Sequence, residues 1–367
     1  MDSEGGVDMA DFACAGGAAP QAQAVLRQQP ADFQVVEQCP VTPADEGEHL
    51  WLWLEKTGLS TPMVAEQLAA AAKVRPRDVG YSGLKDRWAV TRQWFSLPWP
   101  IRHGDALPCV SGQLERIGAT GSFRVLAQHR HSRKLRRSTH QANAFVITLR
   151  DVVAEPAAVE ADLARVAQQG VPNYFGAQRF GFDGRNLQLA RALFAGERLR
   201  RKQRGFALSA ARGYLFNSLL DARVRAGSWN RLLPGEAVML DGSHSVFAAG
   251  GENADDLAAR LAAFDIHPSG PLPGRPGKSV PVSGHALALE QQVLAADHGL
   301  VTGLDAAGVD AARRALRVDT RSLRWRWPDA STLVVEMTLP PGSYATCVLR
   351  EFVTTTPATG NKGITAI

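Results

Sequence analysis

From His49 to Glu55 the chain reads HLWLWLE, a strict alternation that predicts a strand with two different faces. Alternation already begins at Asp32. Ser60-Thr61-Pro62 then supplies a hydroxyl cap and a proline for a first helical turn, and Val64, Leu68 and Ala72 continue along one face of that helix. Short strands are expected over Arg77–Tyr81 and Gln93–Leu97, with a tight turn at Gly83 between them. Two more, Phe123–Gln128 and Ala144–Leu149, flank a basic arm that joins them. A helix over Pro156–Gln169 ends at Gly170.

Beyond Gly170 the pattern changes. GVPNYFGAQRFGFDGRN (170–186) is too rich in glycine and turn formers for a helix or a regular strand. A helix over Ser209–Ala226 stops at Gly227, and Val238–Leu240, Asp241-Gly242 and Ser245–Ala248 read as a hairpin. Helices are expected at 254–264, 285–298 and 306–316, with a Pro/Gly-rich loop at 267–284. Strands return at Ser322–Trp327 and Thr332–Leu339, followed by a short helix reaching Phe352. In Leu323-Arg324-Trp325-Arg326-Trp327 the Leu and Trp side chains fall on one face and the arginines on the other. No internal repeat is seen. The order strands, helices, strands predicts an α+β fold in which a helix-rich insert, roughly 170–318, interrupts a sheet domain.

The length of 367 residues suits that two-part organisation, and 45% hydrophobic with 21% charged residues is ordinary for a globular chain. No apolar run approaches the ~18 residues of a membrane span. Residues 1–26 read as a flexible leader: acidic, Gly/Ala-rich, without Lys or Arg before Arg27, and without the apolar core of a signal peptide. Cys14, Cys39, Cys109 and Cys347 lie far apart and form no CxxC or Cys/His cluster, so neither a disulfide scaffold nor a zinc site is expected, and a reducing cytoplasm is the simplest location.

Forty-one Lys and Arg against thirty-six Asp and Glu leave a net charge of +5. The distribution says more than the excess. Residues 129–140 (HRHSRKLRRSTH) and 198–204 (RLRRKQR) each hold five Lys/Arg, and Arg313, Arg314, Arg317, Arg321, Arg324 and Arg326 form a looser third group. Separated clusters suit an extended polyanion, because each neutralised phosphate releases counterions. Solvated surface arms are the plainer account of any single cluster.

The chain contains no GxxxxGK[ST], no GxGxxG with its acidic partner, no HExxH and no GxSxG. His129 and His131 sit on the basic arm as solvated groups or phosphate contacts. An enzyme of this sequence is therefore expected to work without metal, nucleotide cofactor or catalytic thiol. In YSGLKDRWAVTRQWFSL (81–97), Lys85-Asp86-Arg87 occupy a turn between apolar strands, where flanking cations favour an ionised carboxylate. Such an aspartate suits a nucleophile or general base, although an aspartate beside a glycine turn serves equally as a turn former. In QANAFVITLRDV (141–152), Asn143 and Phe145 combine an amide with a ring that could stack an unpaired base; a turn Asn and a core Phe is the alternative. Phe33 in QPADFQVVEQ is open to the same two readings.

Taken together these segments resemble the TruD family of tRNA pseudouridine synthases. QPADFQVVE (29–37), DEGEHLWLWLEKTGLST (45–61), VGYSGLKDRWAVTRQWFSL (79–97), ANAFVITLRDV (142–152), GVPNYFGAQRFG (170–181), LSAARGYLFN (208–217) and LPPGSYATCVLREF (339–352) follow that family's blocks in its order. The resemblance implies a pseudouridine-synthase catalytic domain with a mixed sheet, over 27–169 and 319–367, interrupted by an inserted TRUD domain at 170–318. It puts the catalytic aspartate on Asp86, the ring that stacks on uracil on Phe145, a supporting residue on Asn143 and a further aromatic on Phe33, with Lys85 shaping the pocket. Arg27 falls where relatives often carry Lys, and Trp88 replaces the His of the GLKDRHAV form.

The implied reaction, uridine to pseudouridine at position 13 in the D arm of tRNA, is an isomerisation that fits the missing motifs. Its carboxylate acts either by covalent attack or by removing a ribose proton to give a glycal, and the sequence leaves both open. The expected partner is tRNA, with no membrane and a monomeric, cytoplasmic enzyme. Alternatives are an RNA-binding or tRNA-folding protein without essential catalysis, a synthase acting on another structured RNA, and a sugar-acid or nucleotide enzyme with an incidental basic surface.

Overall fold

The computed structural model describes residues 7–40, 45–107, 112–116, 119–251, 253–277 and 280–358. Cys109 lies outside them. The first part of the chain runs β1 (Gln23–Leu26), β2 (Phe33–Gln38), β3 (His49–Thr57), α1 (Thr61–Ala71), β4 (Gly80–Tyr81) and β5 (Val90–Pro98). It continues through β6 (Gly112–Arg116), β7 (Ala119–His131), β8 (Ala142–Val153) and α2 (Pro156–Gln169). The middle holds β9 (Val171–Pro172), α3 (Arg185–Phe194), α4 (Arg201–Arg225), β10 (Ala237–Leu240), β11 (Val246–Ala248) and α5 (Ala254–Ala262). Next come β12 (Ile266–Leu272), α6 (Gly284–Ala295), α7 (His298–Ala306), β13 (Ala312–Ala315) and β14 (Arg317–Val318). The chain closes with β15 (Arg324–Asp329), β16 (Thr332–Leu339), α8 (Ala345–Leu349) and β17 (Thr354–Pro357).

An eleven-stranded sheet carries the order β15-β16-β8-β2-β5-β3-β7-β6, with β1 beside β8 and β17, and β4 beside β5. It is mixed: β2 runs parallel to β5 and β1 parallel to β17, while the other pairs are antiparallel. Residues 170–318 give that sheet no strand. They form a four-stranded sheet of order β11-β10-β12-β13 with the helices α3–α7, and β9 pairs with β14 where the segment leaves and rejoins the sheet.

Two apolar clusters lie on one face of the large sheet. Leu50, Leu52 and Leu54 of β3 and Phe95 and Leu97 of β5 pack under Val64 and Leu68 of α1. Fully burying each such side chain is worth ~1.5–3 kcal/mol. The α1 start is as its residues predict, with Ser60 Oγ accepting from the Met63 N–H and Pro62 in the first turn. Phe33, Val35, Phe145 and Ile147 pack with Val159, Leu163 and Val166 of α2 and Val348 and Leu349 of α8. Trp325 and Trp327 join this second cluster, both indoles donating to Glu160, while Arg324 and Arg326 face outward as the alternation requires. Between the clusters runs a polar seam: register sets Val35 and Lys56 on either side of Thr91, and Glu37 and Gln93 follow.

Several expectations are corrected. The 306–316 helix is absent: Gly308, at φ +71, follows the end of α7, and Ala312–Ala315 instead pairs with β12 inside the expected 267–284 loop. β12 accommodates Pro268 and Pro271 because it pairs with β10 over one half and β13 over the other, so neither proline removes a donor from a doubly flanked stretch. The expected 77–81 strand shrinks to Gly80–Tyr81, since Pro76–Asp78 form a 3-10 turn. Helix α3 and the first turns of α4 were not anticipated. Gly181, Asp183 and Gly184, all at positive φ, turn the chain sharply into α3, and the basic run 201–204 is helical.

The flexible-leader reading does not hold from Val7 onward. Phe12 packs on Tyr174, the Ala13 N–H reaches Asp221 at 2.6 Å, and the Ala15 N–H reaches Glu351 at 2.8 Å. Half of the third basic group is turned inward. Arg313 binds Glu290 and Ser269, Arg314 lies over Phe175 and binds Asn173, Arg317 lies over Phe264, and Arg321 pairs with Asp319.

In the first basic arm, His131 is buried and stacked on Trp51 at 4.2 Å, so it is not a solvated group. Arg130 is turned inward, donating to the carbonyls of Gly47, Trp99, Ile101 and Gly104 and to the Asp105 carboxylate. Leaving those carbonyls without a donor makes Arg130→Ala cost about 3 kcal/mol of unfolding free energy, read as a lower urea midpoint at unchanged slope. The exposed Arg133→Ala should stay within about 0.5 kcal/mol of the parent.

Candidate active site

The turn between β4 and β5 carries Gly83-Leu84-Lys85-Asp86, and β5, to which the short β4 pairs, lies in the middle of the sheet. A turn seated on a sheet face must satisfy its buried polar groups internally. It does so residue by residue. Gln93 Nε2 donates to the Gly83 carbonyl at 3.1 Å, and Thr61 Oγ1 accepts the Lys85 N–H at 3.0 Å. Lys56 Nζ donates to the Asp86 carbonyl at 2.7 Å, and Arg87 Nε to the Gly58 carbonyl at 3.2 Å. The Asp86 carboxylate is left partly exposed, with its side chain 24% accessible.

Arg27 Nη2 donates to Asp86 Oδ1 at 2.9 Å, and the same guanidinium lies 4.0 Å above the Phe33 ring. Phe33 in turn meets Phe145 edge to face, with centroids 6.0 Å apart. Sheet register explains the grouping. Phe33, Val35 and Glu37 share one face of β2, and the antiparallel pairing sets Phe145 opposite Val35 and Asn143 opposite Glu37. Arg27 follows β1 with φ +58, a left-handed conformation costly for a side chain of its size, and the Trp88 indole donates to its carbonyl at 3.1 Å. Carboxylate, guanidinium and two rings therefore form one continuous line.

Asn143 sits two residues before Phe145 on the same face, and its Oδ1 is buried without a hydrogen bond from any described residue. Lys85 points elsewhere. Its ammonium is buried and paired with Glu37 at 2.7 Å, and Glu37 also accepts the Trp94 N–H. His140 lies beside this pair, its imidazole pushed below the usual histidine range by burial and by Lys85, with Glu37 opposing. The structure thus joins Asp86, Arg27, Phe33 and Phe145 directly, sets Asn143 beside Phe145, and directs Lys85 into the support beneath the turn.

Sequence reasoning passed over Glu37 and Lys56. Both carried a signal: each occupies the inward phase of an alternating strand, Phe33-Val35-Glu37 in one and Leu50-Leu52-Leu54-Lys56 in the other. A charged residue in the buried phase of a strand needs a specific partner.

A cavity of about 900 Å³ opens beside Arg27, lined also by Leu26, Gln178, Phe182, Arg225 and Arg350. Asp86 itself is not on its wall. Among the described residues no group of three or more His, Cys, Asp or Glu could hold a metal ion, and no helix is long and apolar enough to cross a membrane.

A sheet of this topology with one aspartate presented beside a cation and an edge-to-face ring pair defines a carboxylate-centred site on a mixed α+β fold. The family model described as tRNA pseudouridine synthase D (TruD) matches residues 17–197 and 188–352. Similar proteins include the tRNA pseudouridine synthase D of Nitrosococcus oceani, 46% identical and covering 94% of each chain. That of Pseudomonas putida is 44% identical over 92% of this chain and 94% of its own. A crystal structure of a putative tRNA pseudouridine synthase D (TruD) from Methanosarcina mazei shares the fold, with a TM-score of 0.71 at 22% identity over 90% of this chain and 93% of that one. The chain belongs to the TruD family of tRNA pseudouridine synthases.

Removing the Lys85 ammonium strands a carboxylate in the seam, so Lys85→Met should lose about 3–5 kcal/mol of stability. Adding Glu37→Leu should recover at least about 2 kcal/mol of it, because the unpaired charge goes with it. Urea unfolding of the two variants checks this, and a double variant no more stable than the single one would refute the assignment of the pair as the origin of the loss.

Proposed function

We propose that the protein converts a uridine of tRNA to pseudouridine, that the uridine is residue 13 of the D arm, and that Asp86 is the catalytic carboxylate. The observation that carries this reading is the partly exposed Asp86 carboxylate, held by Arg27 next to the Phe33–Phe145 ring pair. The relatives' shared name supports the substrate class.

The reaction breaks the bond from uracil N1 to ribose C1′, turns the base, closes a bond from C5 to C1′ with loss of the C5 proton, and leaves N1 protonated. Oxidation state and atom count are unchanged, so the stoichiometry calls for no co-substrate. Asp86 acts at the sugar, by attack or by taking a ribose proton, and both routes require an ionised oxygen beside the nucleoside. Arg27 pairs with one oxygen of that carboxylate and fixes its direction. Phe145 receives the flipped uracil, with Phe33 behind it, and Asn143 completes the wall. Extruding a uridine from folded RNA costs a few kcal/mol, and stacking worth ~1–3 kcal/mol offsets part of that.

The Arg27–Asp86 and Lys85–Glu37 pairs balance, so the positive field that suits a phosphate backbone comes from the surrounding surface. Exposed Arg133, Lys134, Arg136 and Arg137, and Arg198, Arg200, Arg201, Lys202 and Arg204 at the head of α4, supply that field. We read 27–169 with 319–367 as the catalytic part and 170–318 as the insert that helps hold the RNA, a division supported by the absence of 170–318 from the large sheet. The enzyme works in the cytoplasm as a monomer.

Asp86→Asn should bind tRNA within about threefold of the parent and yield no pseudouridine in a carbodiimide primer-stop assay; full conversion by that variant would sink the assignment. Mapping pseudouridine in total RNA with and without the protein should give one lost signal, at position 13, and a signal lost elsewhere would overturn the position. Phe145→Ala should slow a single turnover by roughly 5- to 150-fold, the rate equivalent of ~1–3 kcal/mol of stacking.

A further inference from the structure

Lys56 is fully buried, on the inward phase of β3 in line with Leu50, Leu52 and Leu54. Its ammonium makes one hydrogen bond among the described residues, at 2.7 Å to the main-chain carbonyl of Asp86, and no described carboxylate lies within ion-pair distance of it. A buried cation without a paired anion opposes folding. Burial pushes this ammonium down to about 7, with the Asp86 carboxylate opposing and Lys85 reinforcing the fall. A neutral donor would hold the same carbonyl at a smaller penalty. Folding alone therefore gives no reason for a lysine here.

The location supplies one. The other anchors of the turn grip Gly83, Lys85 and Arg87; among the described residues only Lys56 grips the main chain of Asp86 itself. We propose that Lys56 is a positioning residue: its ammonium fixes the Asp86 peptide, and through it the place of the carboxylate that Arg27 holds. The inference rests on Asp86 being the catalytic carboxylate. Two cations then bracket one residue, one on its carbonyl and one on its carboxylate. With no slack in the peptide, the carboxylate can meet the ribose without searching for its orientation, and a shift of about 1 Å there is worth about 100-fold in rate.

The test is Lys56→Met, which keeps the apolar stem and removes the ammonium. Single-turnover conversion of unmodified tRNA transcript should slow by about 100-fold while tRNA affinity stays within about threefold. A rate within about threefold of the parent overturns the proposal, as does an affinity loss as large as the rate loss.

Should Lys56→Met not fold, the intact protein decides. It has seven lysines, few enough to follow by carbon-13 labelling at Cε. Asp86→Asn removes the carboxylate that supports the Lys56 charge, so the Lys56 titration midpoint should move to lower pH by at least about half a unit. An unchanged midpoint overturns the coupling. Asp86→Asn assayed alongside separates the two claims: an active Asp86→Asn defeats the reading of Asp86, whereas an inactive one beside a fully active Lys56→Met defeats only the role of Lys56.

Discussion

Everything at the site depends on carrying charge across a sheet face that excludes water. Two apolar clusters flank the seam, and the turn 83–87 lies over it, so the charged groups buried there need partners in the protein. Glu37 with Lys85, Thr61 with Gln93, and Lys56 with the Asp86 carbonyl are those partners. What they leave partly free is the Asp86 carboxylate. The seam is thus both a folding constraint and the support that holds one carboxylate at a defined point.

Arginine serves two purposes in this chain. At positions such as 130, 313, 314 and 317 its planar fork is used internally, bridging carbonyls and lying over rings, where lysine could not match the geometry. The exposed arginines on the loop after β7 and at the head of α4 are the ones available to a polyanion. Counting basic residues along the chain merges the two populations, and the excess that faces solvent is smaller than the linear clusters suggest. The exposed positive charge of these clusters is then confined to two patches and the outer face of β15.

The N-terminal stretch links parts that are remote in sequence. Asp221 of α4 and Glu351 after α8 accept from successive odd residues of one short segment, Ala13 and Ala15, while Arg350 donates to the Met9 and Ala13 carbonyls. This segment, with Arg27, lines the large cavity beside the site. Its acidic, glycine-rich composition gave no hint of packing, because the apolar side chains that anchor it, chiefly Phe12, find their partner only in a tyrosine far along the chain.

Local rules in the sequence determined the strands with clear alternation, the capped start of α1, the glycine stop of α2, the two-faced strand around Trp325 and Trp327, and the turn that carries Asp86. These features depend on neighbouring residues alone, through side-chain phase, capping and φ preference. Tertiary structure decided the rest. Ala312–Ala315 became a strand against its composition because β12 offered an unpaired edge, and Lys85 turned inward because Glu37 was already buried on the next strand. Arg27, Phe33, Asp86 and Phe145 meet only because β2 lies between β8 and β5, a neighbourhood that no linear pattern encodes. Pairing partners and buried charges are set by contacts between distant segments, and their energies exist only once those segments are together.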